Sequence, residues 1–426
     1  MRPMSIWFFR FEALARRMCW RLRDRLLGAP QAAPLAAPPR VRGALQVGFV
    51  VSTSAKWGLD SVLATLRDRP EVDCGFYMTL SDVDLRRAPA QRRAHYVRER
   101  AFFAARAPIL GDLYDPARDR IWPAESIACD IAFIQQPWGM QDLPRRLTGR
   151  VRTAYVHYGM PVIANDRMQA GLPDFHPFLW RYFAASDLHA ARVRAGAKVQ
   201  EAALRVTGHP KFDIYHSPPP ARDAVALWPR AADTGRLRVI YAPHHGLGPN
   251  TLRLGTFAWS GPAMRDLARC HPEVDFILRP HPNLGLELAR SGIMRADQWQ
   301  GWLQDWQNGA NTALSLDGDY FDLFRTSDLM ITDSGSFLAE YLPTMKPLLR
   351  LLRDDATPLN DFGQQLGTGF YTARDRAQME ALFSQIVQGH DPLAAARAQA
   401  AQLLRPATLR AADAIVADFI HAGYDG

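Results

Sequence analysis

Cysteine is scarce and scattered. The chain carries four, Cys19, Cys74, Cys129 and Cys270, with no CxxC pair and no histidine or cysteine nearby at ligand spacing. Neither a disulfide framework nor a structural zinc site organises such a chain, and a reducing compartment is expected. No apolar run reaches the roughly 18 residues that a spanning helix needs. GxxxxGK[ST], GxGxxG and GxSxG are all missing, which withdraws the P-loop, dinucleotide-binding and nucleophile-elbow readings. No internal repeat is found.

Charge is also missing from most of the chain. The formal net charge is +8, but residues 1–42 hold nine arginines against two acids, Glu12 and Asp24, so the body is close to neutral. A nucleic-acid enzyme would spread basic patches over its body, and no nucleic-acid partner is expected. A basic segment on a neutral body points instead to an anionic surface. Residues 5–27, SIWFFRFEALARRMCWRLRDRLL, repeat Trp7, Phe8, Phe11, Leu14, Met18, Leu22 and Leu26 at helical spacing with arginines between them. The arginines interrupt any signal-peptide core. The segment reads as an amphipathic helix lying on the inner face of the cell membrane, followed by a Pro/Ala linker at 28–40.

From residue 44 onward, short apolar strands alternate with helical segments: ALQVGFVV (44–51), CGFYMTL (74–80), DIAFIQ (130–135), TAYVHY (153–158), RYFAAS (181–186) and ALRVTG (203–208). A Pro-rich stretch at 216–235 breaks the rhythm. It resumes with RLRVIYAP (236–243), DFILR (275–279), DLMITD (328–333) and PLLRLL (347–352). Such alternation predicts parallel sheets covered by helices on both faces. The fold class read from it is α/β, with two doubly wound Rossmann-like domains preceded by the amphipathic helix. The boundaries are a basic helix and linker (1–42), an N-terminal Rossmann-like domain (43–215), a linker (216–235), a C-terminal Rossmann-like domain (236–405) and a C-terminal helix (406–426).

Ligands of open parallel sheets bind beyond the carboxyl ends of the strands, and there this chain places unusual polar residues. His157 closes one strand; Gly208, His209, Lys211 and Asp213 follow another. His244 and His245 follow a third, Arg279 and His281 a fourth, and Asp333, Ser334, Gly335 and Ser336 a fifth, directly before a helix that carries Glu340. Small residues opening a helix favour an anion, although a serine there is also an ordinary N-cap. Arg279 supplies fixed charge and His281 a titratable donor, both on backbone stiffened by Pro280 and Pro282. His157 has the intrinsic pKa of a general base. The acids of LDGD (316–319) read as a loop cap, so no metal is assigned, and no cofactor.

These pieces together resemble the CDP-glycerol glycerophosphotransferase family of the teichoic-acid-polymerase type. The resemblance rests on Arg279-Pro280-His281-Pro282, on Asp319, Asp322-Leu323, Ser327-Asp328 and Ile331-Thr332-Asp333 with Ser336, and on Lys346-Pro347. TGHPKFD (207–213), YAPHH (241–245) and HYGMP (157–161) add looser matches. It implies a GT-B-like fold with a cleft between domains. It also implies transfer of glycerol phosphate from CDP-glycerol to a surface polysaccharide, teichoic-acid-like polymer or lipid-linked primer at the membrane. His157 and His281 would be catalytic. Arg279, His244, His245, Gly208, Lys211, Asp333, Ser334, Gly335, Ser336 and Glu340 would bind the donor. TDSGS (332–336) is also similar to UDP-N-acetylglucosamine 2-epimerases, and the His-Pro strand end to CMP-sugar transferases of the sialic- and Kdo-type. The alternatives are therefore a CMP- or UDP-sugar glycosyltransferase or an epimerase-like enzyme.

Overall fold

A computed structural model describes residues 4–27, 43–81, 84–165, 169–196, 198–216, 226–231, 233, 235–249, 251–316, 320–404 and 410–424. The linker at 28–40, most of the one at 216–235, and Asp317 and Asp319 of the LDGD loop lie outside the described residues. The chain forms two compact units. One comprises residues 1–159, 165–213 and 406–426, the other 160–164 and 214–405.

In the first unit the strands are β1 (Met4–Ser5), β2 (Leu45–Val51), β3 (Val72–Met78), β4 (Ile109–Asp112), β5 (Tyr114–Asp115), β6 (Arg120–Ile121), β7 (Ile131–Ile134), β8 (Arg152–Val156), β9 (Arg181–Ala184) and β10 (Leu204–Val206). Seven of them make one parallel sheet in the order β10-β9-β8-β7-β2-β3-β4, and β1, β6 and β5 form a small antiparallel ribbon. Because helices cover both faces, the central strands are apolar almost throughout; β7 and β8 are buried at every position. Phe49, Phe76, Phe133, Trp57 and Phe103 interlock on one face, with ring centroids 4.9–5.8 Å apart. The chain runs outward from β2 through β3 to β4, then restarts at β7 and runs the other way, so the sheet reverses direction between β2 and β7.

The second unit repeats the plan with β11 (Leu237–Ala242), β12 (Val274–Leu278), β13 (Thr312–Leu314), β14 (Leu329–Thr332), β15 (Leu348–Leu351) and β16 (Tyr371–Ala373). All six are parallel, in the order β13-β12-β11-β14-β15-β16. Here the reversal lies between β11 and β14. The helix Ala296–Gln307 presents Trp299, Trp302 and Trp306 at intervals of three and four residues, and the rings stack at 5.4 and 5.3 Å as they enter the core. The two doubly wound parallel-sheet units expected from the alternation are present.

Three assignments differ in detail from the sequence reading. The C-terminal helix, Ala411–Tyr424, packs into the first unit's core through Ala412, Ile415, Val416 and Phe419. Asp213 caps it, its two carboxylate oxygens accepting the amides of Ala411 and Ala412 at 2.8 and 2.9 Å. Residues 160–164 belong to the second unit, where Ile163 bridges to Leu359. The N-terminal helix α1 (Ile6–Leu27) is not a detached tail, since Ile6 and Phe9 pack against the first unit's core.

Phe419 is fully buried in a core drawn from distant parts of the chain. Phe419→Ala is expected to destabilise the first unit by about 3–4 kcal/mol, and Asp213→Ala by about 1–2 kcal/mol. Urea unfolding monitored by circular dichroism measures both, and an unchanged midpoint in Phe419→Ala would contradict this packing.

Candidate functional site

In the second unit, the adjacent strands β12, β11 and β14 end side by side at the reversal of the sheet. Their carboxyl ends carry Arg279 and His281, His244 and His245, and Asp333, Ser334 and Ser336. The sequence placed five residue groups at strand ends; the topology brings these three together. The rings of His245 and His281 lie 3.8 Å apart, His244 and His245 4.3 Å, and His244 and His281 5.3 Å.

The chemistry of this cluster follows from its hydrogen bonds. The Gly246 amide donates to His244 Nδ1 at 3.0 Å, and the Asn283 amide donates to His281 Nδ1 at 3.1 Å. In a neutral imidazole whose Nδ1 accepts, Nε2 carries the proton. His244 and His281 are therefore set as donors. Burial pushes the His244 pKa down to about 3, so it donates as a neutral group. The three histidines bring ligand nitrogens within 4.8 Å of one another, but a metal ion would need unprotonated nitrogens facing it. This tautomer pattern suits an anion better. Arg279 adds a permanent charge. Its Nη1 donates to Ser315 Oγ at 2.8 Å, and its guanidinium lies 4.8 Å from the centre of the Tyr320 ring, so its direction is fixed from two sides.

Asp333, expected against a donor, is instead turned inward. Its carboxylate accepts the His244 amide at 2.5 Å, the Thr256 amide at 2.5 Å and the Thr256 hydroxyl at 2.8 Å. It ties the loop after β11 to the start of the helix Phe257–Cys270, and burial raises its pKa to about 6. Glu340 is fully buried, with the Tyr320 hydroxyl on its side chain and the Tyr215 hydroxyl 2.5 Å from its carbonyl oxygen. Gly335 opens the following helix, and a Cβ there would come within 2.8 Å of the Ile163 side chain. The helix needs a glycine at this point to pack.

Gly208 and Lys211, expected to bind the donor, lie in the first unit with His157. His157 follows β8 directly. Its Nδ1 lies 2.6 Å from the Gly159 carbonyl oxygen, which can only accept, and 3.3 Å from the Gly159 amide; the shorter contact puts the proton on Nδ1 and leaves a lone pair on Nε2. Burial lowers its pKa to about 4, so at neutral pH this is an uncharged base. His209, almost completely buried, donates from Nε2 to the His157 carbonyl at 2.8 Å. Gly208 makes the turn with φ +81°, a conformation open chiefly to glycine.

Residues missed from sequence surround this base. After β2 and β7, the two strands at the reversal, come Ser52, Lys56, Gln136 and Trp138. Trp138 meets the rings of His157 and Tyr158 at 6.1 and 5.6 Å, and Lys56 Nζ lies 5.1 Å from its centroid. Gln136 Nε2 donates to Ser52 Oγ at 3.0 Å, while its Oε1 is buried with no partner among the described residues. The rule that found the histidines, polar residues just past a strand, would also have found QQPW (135–138).

No protein-family model and no curated protein sequence matches the chain. Solved structures do. A UDP-N-acetylglucosamine 2-epimerase described as putative, from Listeria monocytogenes, aligns with TM-score 0.57 at 15% identity, covering 90% of this chain and 98% of its own. The epimerase from Neisseria meningitidis, solved with UDP-GlcNAc bound, aligns with TM-score 0.56 at 13% identity over 88% and 99%. An S. aureus protein, MnaA, solved with UDP, gives 0.56 and 12% over 88% and 96%. The chain has their fold. The resemblance to CDP-glycerol glycerophosphotransferases, and with it the teichoic-acid reading, is thereby overturned. Several matching structures are described as UDP-GlcNAc 2-epimerases, none of those named above as a glycerophosphotransferase, and no family model supports the motif matches. The physical reason lies in the motifs. RPHP and TDSGS are the ends of β12 and β14 beside a sheet reversal, and any fold of this type can build such ends.

His176 and His209 are both buried with pKa values lowered to about 3. The unfolded chain binds protons near pH 6.5 while the folded one refuses them, so stability is full above pH 6.5 and falls as the pH drops below it. Each residue is expected to lose roughly 2 kcal/mol of stability at pH 5. Asp333 opposes this, because its raised pKa favours the fold at acid pH, but the histidines outnumber it. A urea midpoint lower at pH 5 than at pH 7 is the expected result, and a midpoint that rises on acidification would contradict the buried neutral imidazoles.

Proposed function

We propose that this chain is an enzyme acting on a nucleoside-diphosphate sugar, with a UDP-N-acetylhexosamine as the first candidate and epimerisation of its sugar as the first reaction. One observation carries the reading. The C-terminal unit gathers two imidazoles preset as Nε2–H donors, together with Arg279, at the reversal of a parallel sheet, where such sheets bind ligands. Neutral donors beside one fixed cation match a diphosphate, whose oxygens accept several hydrogen bonds at once. The fold's likeness to structures described as holding UDP or UDP-GlcNAc supports uridine as the nucleoside.

Within this reading, Arg279, His244 and His281 hold the diphosphate and neutralise the charge gathering on it when its bond to the sugar weakens. Asp333 positions the His244 loop. In the first unit His157 stands as a neutral base, and His209 holds its backbone in place. Trp138, Tyr158 and Gln136 beside His157 provide an aromatic face and an amide, a combination that suits a hydroxyl-rich ring. That surface also favours a second reading, transfer of the sugar to a hydroxyl acceptor.

Calorimetry on the full chain is expected to find UDP binding, weakened about 10- to 100-fold in Arg279→Ala and in His281→Ala. Failure to bind UDP, CDP or CMP would overturn the reading. His157→Ala, in the other unit, is expected to leave UDP affinity unchanged, and a loss of UDP binding in that variant would contradict a diphosphate held by the second unit's own residues. Turnover of UDP-GlcNAc by the parent chain is followed by NMR. A new sugar product without any acceptor supports epimerisation, and a strict requirement for an acceptor supports transfer.

A further inference from the structure

We infer that α1 is a membrane-docking surface that seats the first unit on an anionic lipid bilayer. The helix has two faces with different tasks. One is fastened to the protein: Ile6 and Phe9 enter the core, and Arg16 bonds Glu12 at 2.7 Å and Asp142 at 3.1 Å. Arg145 is clasped by Asp24 at 2.9 Å and Asp174 at 2.7 Å, with the Trp20 ring centred 4.4 Å from its guanidinium. Positions 6, 9, 13, 16, 20 and 24 fall on this side at 100° per residue.

On the opposite side Trp7, Phe11, Leu14, Met18 and Leu22 form a continuous stripe, and Phe8 and Leu26 widen it. All seven are exposed, from 49% at Phe8 to 74% at Trp7 and Leu26. A soluble surface carries single apolar residues as a matter of course, but a contiguous row along a whole helix marks an interaction site. No described helix is long and apolar enough to cross a membrane, so the stripe fits a helix lying in the interface plane.

Charge decides between a bilayer and a second copy of the chain. Both acids of α1 are half-buried, Glu12 paired with Arg16 and Asp24 with Arg145 on the body, whereas Arg10, Arg21 and Arg23 are exposed. Arg10, Arg17 and Arg21 line one flank of the stripe. Pairing two such helices antiparallel through the stripe would set arginine flanks together, and no exposed acid stands on either helix to meet them in any pairing. Lipid phosphates meet them directly while the stripe enters the acyl boundary. The fastened face then holds the body on the water side.

The test is sedimentation of the full chain with vesicles of phosphatidylcholine alone, or of equal parts phosphatidylcholine and phosphatidylglycerol, alongside its mass in solution by light scattering. Binding to the anionic vesicles, reduced by added salt, is expected. Phe11→Glu combined with Met18→Glu should abolish it, and Arg10→Glu with Arg17→Glu and Arg21→Glu should weaken it on the order of a hundredfold or more. The glutamates replace exposed or flanking side chains, so thermal unfolding should stay within a few degrees of the parent. Failure of the parent to sediment with anionic vesicles would overturn the inference. So would a dimer that the Phe11/Met18 variant dissolves, which would assign the stripe to a second copy.

Discussion

The buried carboxylate of Asp333 holds the C-terminal site together. It stands at the end of β14 and accepts three hydrogen bonds from the loop that follows β11, one from the His244 amide and two from Thr256. A carboxylate is costly to bury, and the raised pKa records that cost. The three donors offset it and fix where the loop can run. With the loop fixed, the amide of Gly246 falls on His244 Nδ1, and the proton is left on Nε2. The same logic recurs at β12, where the Asn283 amide sets His281. A backbone that dictates tautomers gives a site its chemistry before any ligand arrives.

The base in the first unit is prepared differently. At His157 Nδ1 the Gly159 carbonyl, at 2.6 Å, lies nearer than the Gly159 amide, at 3.3 Å, so the proton sits on Nδ1 and the lone pair on Nε2. Burial then keeps the ring uncharged. One residue type, at the same kind of strand end, thus becomes donor or acceptor according to which backbone group, N–H or C=O, lies nearer its Nδ1.

Much of this was legible in the sequence. Apolar runs such as DIAFIQ and RLRVIYAP declared buried parallel strands, and His244, His245 and His281, read as lying past strand ends, do lie together there. The direction of Asp333 was not legible, because a polar residue past a strand can face a ligand or clamp a loop, and only the loop's path decides. The placement of Gly208 and Lys211 in the same unit as His157 was legible, since the alternation put all three within 43–215. The C-terminal helix was visible as a helix, but its docking depends on Asp213, some two hundred residues earlier. The family resemblance misled because its motifs encode sheet edges, which distant folds of this plan have in common.

The most direct test of the central claim is NMR of the histidine side chains in protein labelled with the heavy nitrogen isotope, with and without UDP. His244 and His281 should both show the Nε2–H tautomer at neutral pH, and His157 the Nδ1–H tautomer. The Nε2 protons of His244 and His281 should shift when UDP is added. An Nδ1–H tautomer at His244 or His281, or signals that ignore UDP, would contradict a preset diphosphate site.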